Sequence, residues 1–124
     1  MTRLALWLAL ALVALPAQRD TRRRPPETLP CSRDQLTSFT GKVTVYSRTP
    51  DRITLTIATD WDTTARFTLR PPFRLLLHGE PFQPRDWDQI EEKPGVLRKG
   101  MRATVWECAG GRRVLDWQPP PDPR

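Results

Sequence analysis

Residue types that commonly carry catalysis are sparse in this sequence of 124 residues. His78 is the only histidine, so the sequence cannot supply a zinc site built from several histidines. A hydrolytic triad would need His78 beside an activated serine and an orienting carboxylate. Ser32, Ser38 and Ser47 do not lie in a nucleophile-elbow motif. We therefore predict a protein without enzymatic activity, catalytic residues or a cofactor.

Carboxylates cluster in two short segments, at residues 60–62 and 86–92. Oxygen clusters of this kind can bind hard cations such as calcium. The second segment lacks the loop glycine and the ligand spacing of an EF-hand. We therefore expect these acids to act as helix caps, turn residues and solvated side chains, and we predict no metal site.

Aromatic residues provide the main argument for binding. Tryptophans 61, 87, 106 and 117, together with Tyr46, are many for a small core, and a purely structural role for all of them is the alternative. If Trp61 and Tyr46 are exposed beside cationic side chains, they form a surface for stacking and charge pairing. The predicted ligand-binding residues are Lys42, Tyr46, Trp61, Arg66, Arg112 and Arg113.

The first 17 residues predict a signal peptide. Arg3 precedes an apolar run at positions 4–15, which Pro16 and Ala17 follow. Twelve residues reach about 18 Å as a helix, against a hydrocarbon core of roughly 30 Å, so a permanent membrane span is disfavoured. Four arginines beyond the run oppose the usual charge bias, and an apolar helix packed on its own domain is the alternative. We expect an extracytoplasmic location, periplasmic or secreted.

Two proline-containing segments flank the predicted domain. Residues 18–30 lack apolar periodicity and contain three prolines and four arginines, which predicts a flexible basic arm. Residues 119–124 predict a proline-rich tail. The domain between them, residues 31–118, has fourteen Lys and Arg against eleven Asp and Glu, a net charge of +3. These charges form no run, which argues against nucleic acid as a partner.

Within residues 31–118 the apolar pattern is that of short strands. Phe39, Val43 and Val45 alternate with Lys42, Thr44 and Tyr46, and similar alternation at positions 53–58 and 64–69 predicts a three-stranded meander. Residues 84–91 predict one or two helical turns that end before Pro94. Two further strands are predicted, at positions 101–106 and 113–117, joined through a turn at Gly110 and Gly111.

This order of elements resembles the five-stranded oligonucleotide/oligosaccharide-binding (OB) barrel, and in particular small exported bacterial OB-like domains of undefined role. Residues 40–45, 53–57 and 97–105 carry the resemblance. It implies an all-β Greek-key barrel over residues 31–118, with a helical or irregular connection between strands three and four. The long proline-broken stretch from Arg70 to Pro94 leaves another small barrel or a sandwich as the alternative.

The resemblance also implies a disulfide between Cys31 and Cys108. In an OB barrel, strands one and four pair antiparallel, which brings the start of the first strand and the end of the fourth together. Export to an oxidising compartment permits the bond.

The expected function is that of an exported, non-enzymatic binding or accessory module for a glycan, a peptide or an envelope polymer. The alternatives are a structural protein that docks to an envelope assembly, and an extracytoplasmic nucleic-acid binder.

Overall fold

The structure is a computed structural model that describes residues 25–26 and 29–121. The predicted signal peptide, residues 1–17, lies outside the described residues, as do most of the predicted arm and the end of the tail. Within the described ranges, no helix combines the length and apolar character needed to cross a membrane.

The described chain is 54% strand and 11% helical, which confirms the all-β prediction. It contains nine strands where five were expected, because the segment from Arg70 to Leu97 contributes four short ones. Two 3-10 turns, Arg33–Gln35 and Pro84–Asp86, and the helix α1, Trp87–Ile90, complete it. The strands are β1 (Leu36–Thr49), β2 (Arg52–Thr59), β3 (Thr64–Leu69), β4 (Leu75–Leu77), β5 (Glu80–Pro81), β6 (Glu91–Lys93), β7 (Val96–Leu97), β8 (Arg102–Cys108) and β9 (Arg113–Gln118).

Seven of these strands form one mixed sheet in the order β3-β2-β1-β8-β9-β4-β5. Neighbouring strands are antiparallel except for β4 and β9, which run parallel. The sheet is not closed. Strands β6 and β7 form a separate hairpin, so the predicted helical connection is a 3-10 turn, one turn of α-helix and this hairpin.

The long strand β1 pairs with two neighbours in succession. Its first half pairs with β8 and its second half with β2. The two pairings overlap at Gly41 and Lys42, and a bulge between Val43 and Val45 follows. The backbones of β1 and β2 approach so closely here that a Cβ on Gly41 would lie 2.1 Å from the carbonyl oxygen of Ala58. Only glycine fits at this position without displacement of β2.

One face of the sheet, here called the inner face, covers the main core. β-Branched and aliphatic side chains of β2 alternate onto it because successive strand residues point to opposite faces; Ile53, Leu55 and Ile57 are fully buried. Strands β8 and β9 add Val105, Leu115 and other residues. The buried members of this core are Val43, Ile53, Leu55, Ile57, Phe67, Leu69, Ile90, Met101, Ala103, Val105, Leu115 and Trp117.

The opposite, outer face has a smaller apolar cluster. Leu76, Trp106 and Val114 are buried there, and Leu29 and Leu36 pack against them. The Cys31–Cys108 disulfide lies at the end of this cluster and confirms the predicted pairing; the two Cα atoms are 5.9 Å apart. The segment just before β1, including Leu29 of the predicted arm, is thereby attached to the outer face.

Replacing Gly41 with alanine tests the close approach of β1 and β2. Because the new methyl group meets backbone atoms that cannot rotate away, we expect Gly41→Ala to lower the free energy of unfolding by at least about 2 kcal/mol. Urea denaturation measures this loss. The exposed neighbour Lys42→Ala is the control, with an expected change within about 0.5 kcal/mol. Equal stability of the two variants would contradict the described contact.

Reduction tests the contribution of the disulfide. The bond joins residues 77 positions apart, and a loop of this length is expected to contribute about 4–5 kcal/mol by restricting the unfolded chain. We expect Cys31→Ala/Cys108→Ala to lose stability of this order in urea denaturation. Reductant should destabilise the wild type and leave the double variant unchanged; a wild type indifferent to reductant would show that the bond does not form in solution.

Candidate functional site

Tyr46 does not lie where the alternating pattern placed it. The alternation grouped Val45 with Phe39 and Val43 on one face of β1, and Tyr46 with Lys42 on the other. The bulge adds one residue between Val43 and Val45 and reverses the two faces from there on. Val45 is 56% exposed, whereas Tyr46 is half-buried on the inner face, edge-on to Trp117 with ring centroids 5.7 Å apart. Tyr46 is thus separated from the exposed cations.

The same reversal turns Arg48 inward, to a buried carboxylate. Glu91 of β6 is 5% exposed. Arg48 binds it through two hydrogen bonds, Nε to Oε2 at 2.8 Å and Nη2 to Oε1 at 2.7 Å, and the Tyr46 hydroxyl donates a further one to Oε2. The Arg48 guanidinium lies 3.9 Å from the ring centroid of Trp87. This cluster joins β1 to the connection between β5 and β8.

The charges in this cluster shift the protonation of its members. Burial alone would raise the pKa of Glu91, but the hydrogen bonds from Arg48, from Tyr46 and from the backbone of Gly95 hold it below its ordinary value. Burial, together with the hydrogen bond to Glu91, raises the pKa of Tyr46. The hydrogen bond to Glu91 raises the pKa of Arg48. At neutral pH the cluster therefore holds an ion pair between Arg48 and Glu91 and a neutral Tyr46 phenol. These states favour a structural contact.

Three of the predicted ligand residues do lie on the outside of the meander. Lys42 and Arg66 are exposed on the outer face of β1 and β3, and Trp61, in the turn between β2 and β3, is 64% exposed. Thr59 holds this turn, since its Oγ1 accepts hydrogen bonds from the backbone nitrogens of Trp61 and Thr63 at 3.3 and 3.2 Å. The expected stacking surface therefore has Trp61 as an exposed aromatic ring but lacks Tyr46.

The remaining two predicted residues, Arg112 and Arg113, lie in an open groove of about 520 Å³ at the other end of β3. We call it the arginine groove. Its lining comes from three segments: the end of β3, the loop after it, and the turn into β9. The lining residues are Thr68, Leu69, Arg70, Pro72, Arg74, Gly111, Arg112 and Arg113. Four of these eight are arginines and none is acidic.

One of the four arginines is held in place and three are not. Arg113 donates to Glu107 through Nε at 3.0 Å and Nη2 at 2.9 Å, and its Nη1 donates to the carbonyl oxygen of Thr68 at 3.3 Å. Arg70, Arg74 and Arg112 are exposed and form no ion pair with any described residue. The groove therefore has three guanidinium groups available to an anion.

Sequence reasoning missed Arg70 and Arg74. They flank the pair Pro71 and Pro72, in the stretch whose structure the pattern did not define. Arg74 is connected to the final hairpin through its carbonyl oxygen, which accepts from the backbone nitrogen of Leu115 at 3.0 Å. The available signal was four arginines around two turns, but nothing in the sequence indicated that the two turns meet.

Groups suited to metal binding do not converge in the described part of the chain. No set of three or more His, Cys, Asp or Glu residues there could hold a metal ion. His78 is exposed in the turn between β4 and β5, with φ of 50°.

The fold and this groove define an all-β domain with a cationic surface site. Comparisons with protein-family models, curated proteins and solved structures found no match to the chain.

The lowered pKa of Glu91 predicts how stability depends on pH. Because the folded-state pKa lies below the unfolded value of about 4.3, the ion pair stabilises fully above that value and is lost as the pH falls through the folded-state pKa. We expect Glu91→Gln to cost about 2 kcal/mol at pH 7, because Arg48 and Tyr46 lose their charged hydrogen-bond acceptor. The gap to the wild type should narrow below about pH 4.3.

Urea denaturation between pH 7 and pH 3 measures this gap. Glu92→Gln, an exposed neighbour on the same strand, is the matched control and should follow the wild type throughout. A gap for Glu91→Gln that stays constant to pH 3 would contradict the ion-pair assignment.

Proposed function

We propose that this protein is an exported, non-enzymatic binding module on an OB-like barrel, and that it binds an anionic ligand in the arginine groove. The observation that carries this proposal is the convergence of Arg70, Arg74 and Arg112 from two turns, without a carboxylate to neutralise them. Such an uncompensated cluster lowers the stability of the fold through mutual repulsion. A bound anion would offset this repulsion, which gives the cluster a function.

The course of the chain supports the OB-like architecture. The chain leaves β3 at one edge of the sheet, turns at Pro71 and Pro72, and continues as β4, which pairs with β9. Arg113 links β9 back to β3 through Thr68. The edge strand and the far part of the sheet are thereby connected both by the chain and by a side chain, as expected for a partly open Greek-key barrel.

Guanidinium groups favour a ligand that carries carboxylate or phosphate. Their planar donors match both anions with paired hydrogen bonds. An acidic glycan, an acidic peptide or a phosphate-bearing envelope polymer has this chemistry. The Cys31–Cys108 disulfide is compatible with an oxidising extracytoplasmic location, which supports the proposed export by the predicted signal peptide, residues 1–17.

Anion binding tests the proposal directly. We expect polygalacturonate and polyphosphate to bind the protein in isothermal titration calorimetry, with affinity that falls as sodium chloride rises from 20 to 300 mM. Arg70→Gln/Arg74→Gln/Arg112→Gln should weaken binding at least about tenfold, since each substitution removes one charge-assisted contact.

A second triple variant with the same loss of charge is the control. Lys42, Arg66 and Arg85 are exposed and lie outside the groove, so their replacement by Gln should weaken binding less than about threefold. If this control loses binding and the groove variant keeps it, the ligand binds the outer face of the meander and the groove assignment is wrong.

A further inference from the structure

A second groove, of about 300 Å³, lies beside the arginine groove and has a different character. We call it the apolar groove. Phe73, Phe82 and Leu75 are half-buried along it, and Leu76 and Val114 are buried beneath it. Pro30, Pro81 and Arg74 complete the lining. Apart from Arg74, every lining residue is apolar.

The two grooves are adjacent and share one lining residue. Arg74 lines both of them. Pro72 of the arginine groove is followed directly in the chain by Phe73 of the apolar groove. A ligand that touches Arg74 from the cationic side therefore lies next to the apolar side chains on the other side of Arg74.

A purely polar anion would use only half of this surface. A linear polyanion that extended past Arg74 would place charged groups against Phe73 and Leu75, where they would lose hydration without gaining a cation. An alkyl chain in the same position would remove apolar surface from water on both sides. The arrangement of one cationic and one apolar half thus matches a molecule with one anionic end and one apolar end.

We infer that the paired grooves bind an anionic amphiphile, with its phosphate or carboxylate head between Arg70, Arg74 and Arg112 and a single alkyl chain along Phe73, Leu75 and Phe82. This inference rests on the proposed function, because the head occupies the same arginine groove. It adds the chemical class of the ligand and a second part of the site.

A series of alkyl phosphates tests the inference. We expect butyl, hexyl and octyl phosphate, used below their critical micelle concentrations, to bind with affinity that rises roughly twofold per methylene, because an open groove covers only one side of the chain. Octyl glucoside, which has the same chain and no charge, should bind at least tenfold more weakly than octyl phosphate. Titration calorimetry or ligand-observed NMR measures these affinities.

Variants separate the two halves of the site. The variant Arg70→Gln/Arg74→Gln/Arg112→Gln should no longer bind any of the alkyl phosphates. Phe73→Asn should remove the dependence on chain length and keep the affinity for butyl phosphate, whereas Phe73→Leu should retain the dependence. Thermal unfolding confirms that each variant is folded; if Phe73→Asn is not, Pro81→Gln at the exposed rim takes its place.

The outcomes distinguish this inference from the proposed function. Equal binding of butyl and octyl phosphate would overturn the amphiphile and leave anion binding intact. Octyl glucoside binding as tightly as octyl phosphate would overturn the role of the arginines as the head-group site. Failure of the wild type to bind polyphosphate or any alkyl phosphate would overturn both.

Discussion

The fold depends on one strand that belongs to both halves of the sheet. Strand β1 exchanges its main partner from β8 to β2 near Gly41, and the exchange is completed by contacts from both sides. Thr40 accepts from the nitrogen of Asp60, and Val43 donates to the carbonyl oxygen of Met101, both at 3.0 Å. Because β2 places β3, and β8 places β9 and then β4, the position of every other strand in the sheet follows from this crossing.

The bulge in β1 and the buried Glu91 are two parts of one arrangement. The bulge turns Tyr46 and Arg48 onto the inner face, where a guanidinium and a hydroxyl need acceptors. Glu91 supplies them from a strand of only three residues, β6. The polar contact thereby connects the short helix and its hairpin to β1.

Sequence patterns predicted the long strands well because each alternates for five or more residues against a single core. They failed within β1, since Val45 and Tyr46 suit either face and a bulge leaves no mark in the alternation. Strands β5 and β7 have two residues each, too few for an alternating sequence pattern, and they are defined only by their pairing with β4 and β6. The disulfide was predictable from the topology, whereas the meeting of residues 70–74 with residues 111–113 depends on how two loops close around the sheet.

The bond between Cys31 and Cys108 also decides how tension would travel through the molecule. A force that pulls on the chain before Cys31 is transmitted along the backbone to the start of β1 and through the disulfide to the end of β8. These two strand ends are paired, Leu36 with Cys108. Those two neighbouring ends are covalently joined, so the pull cannot peel one strand from the other at this corner. In mechanical terms, the covalent link protects the first hydrogen bonds of the β1–β8 ladder against unzipping from the amino-terminal side.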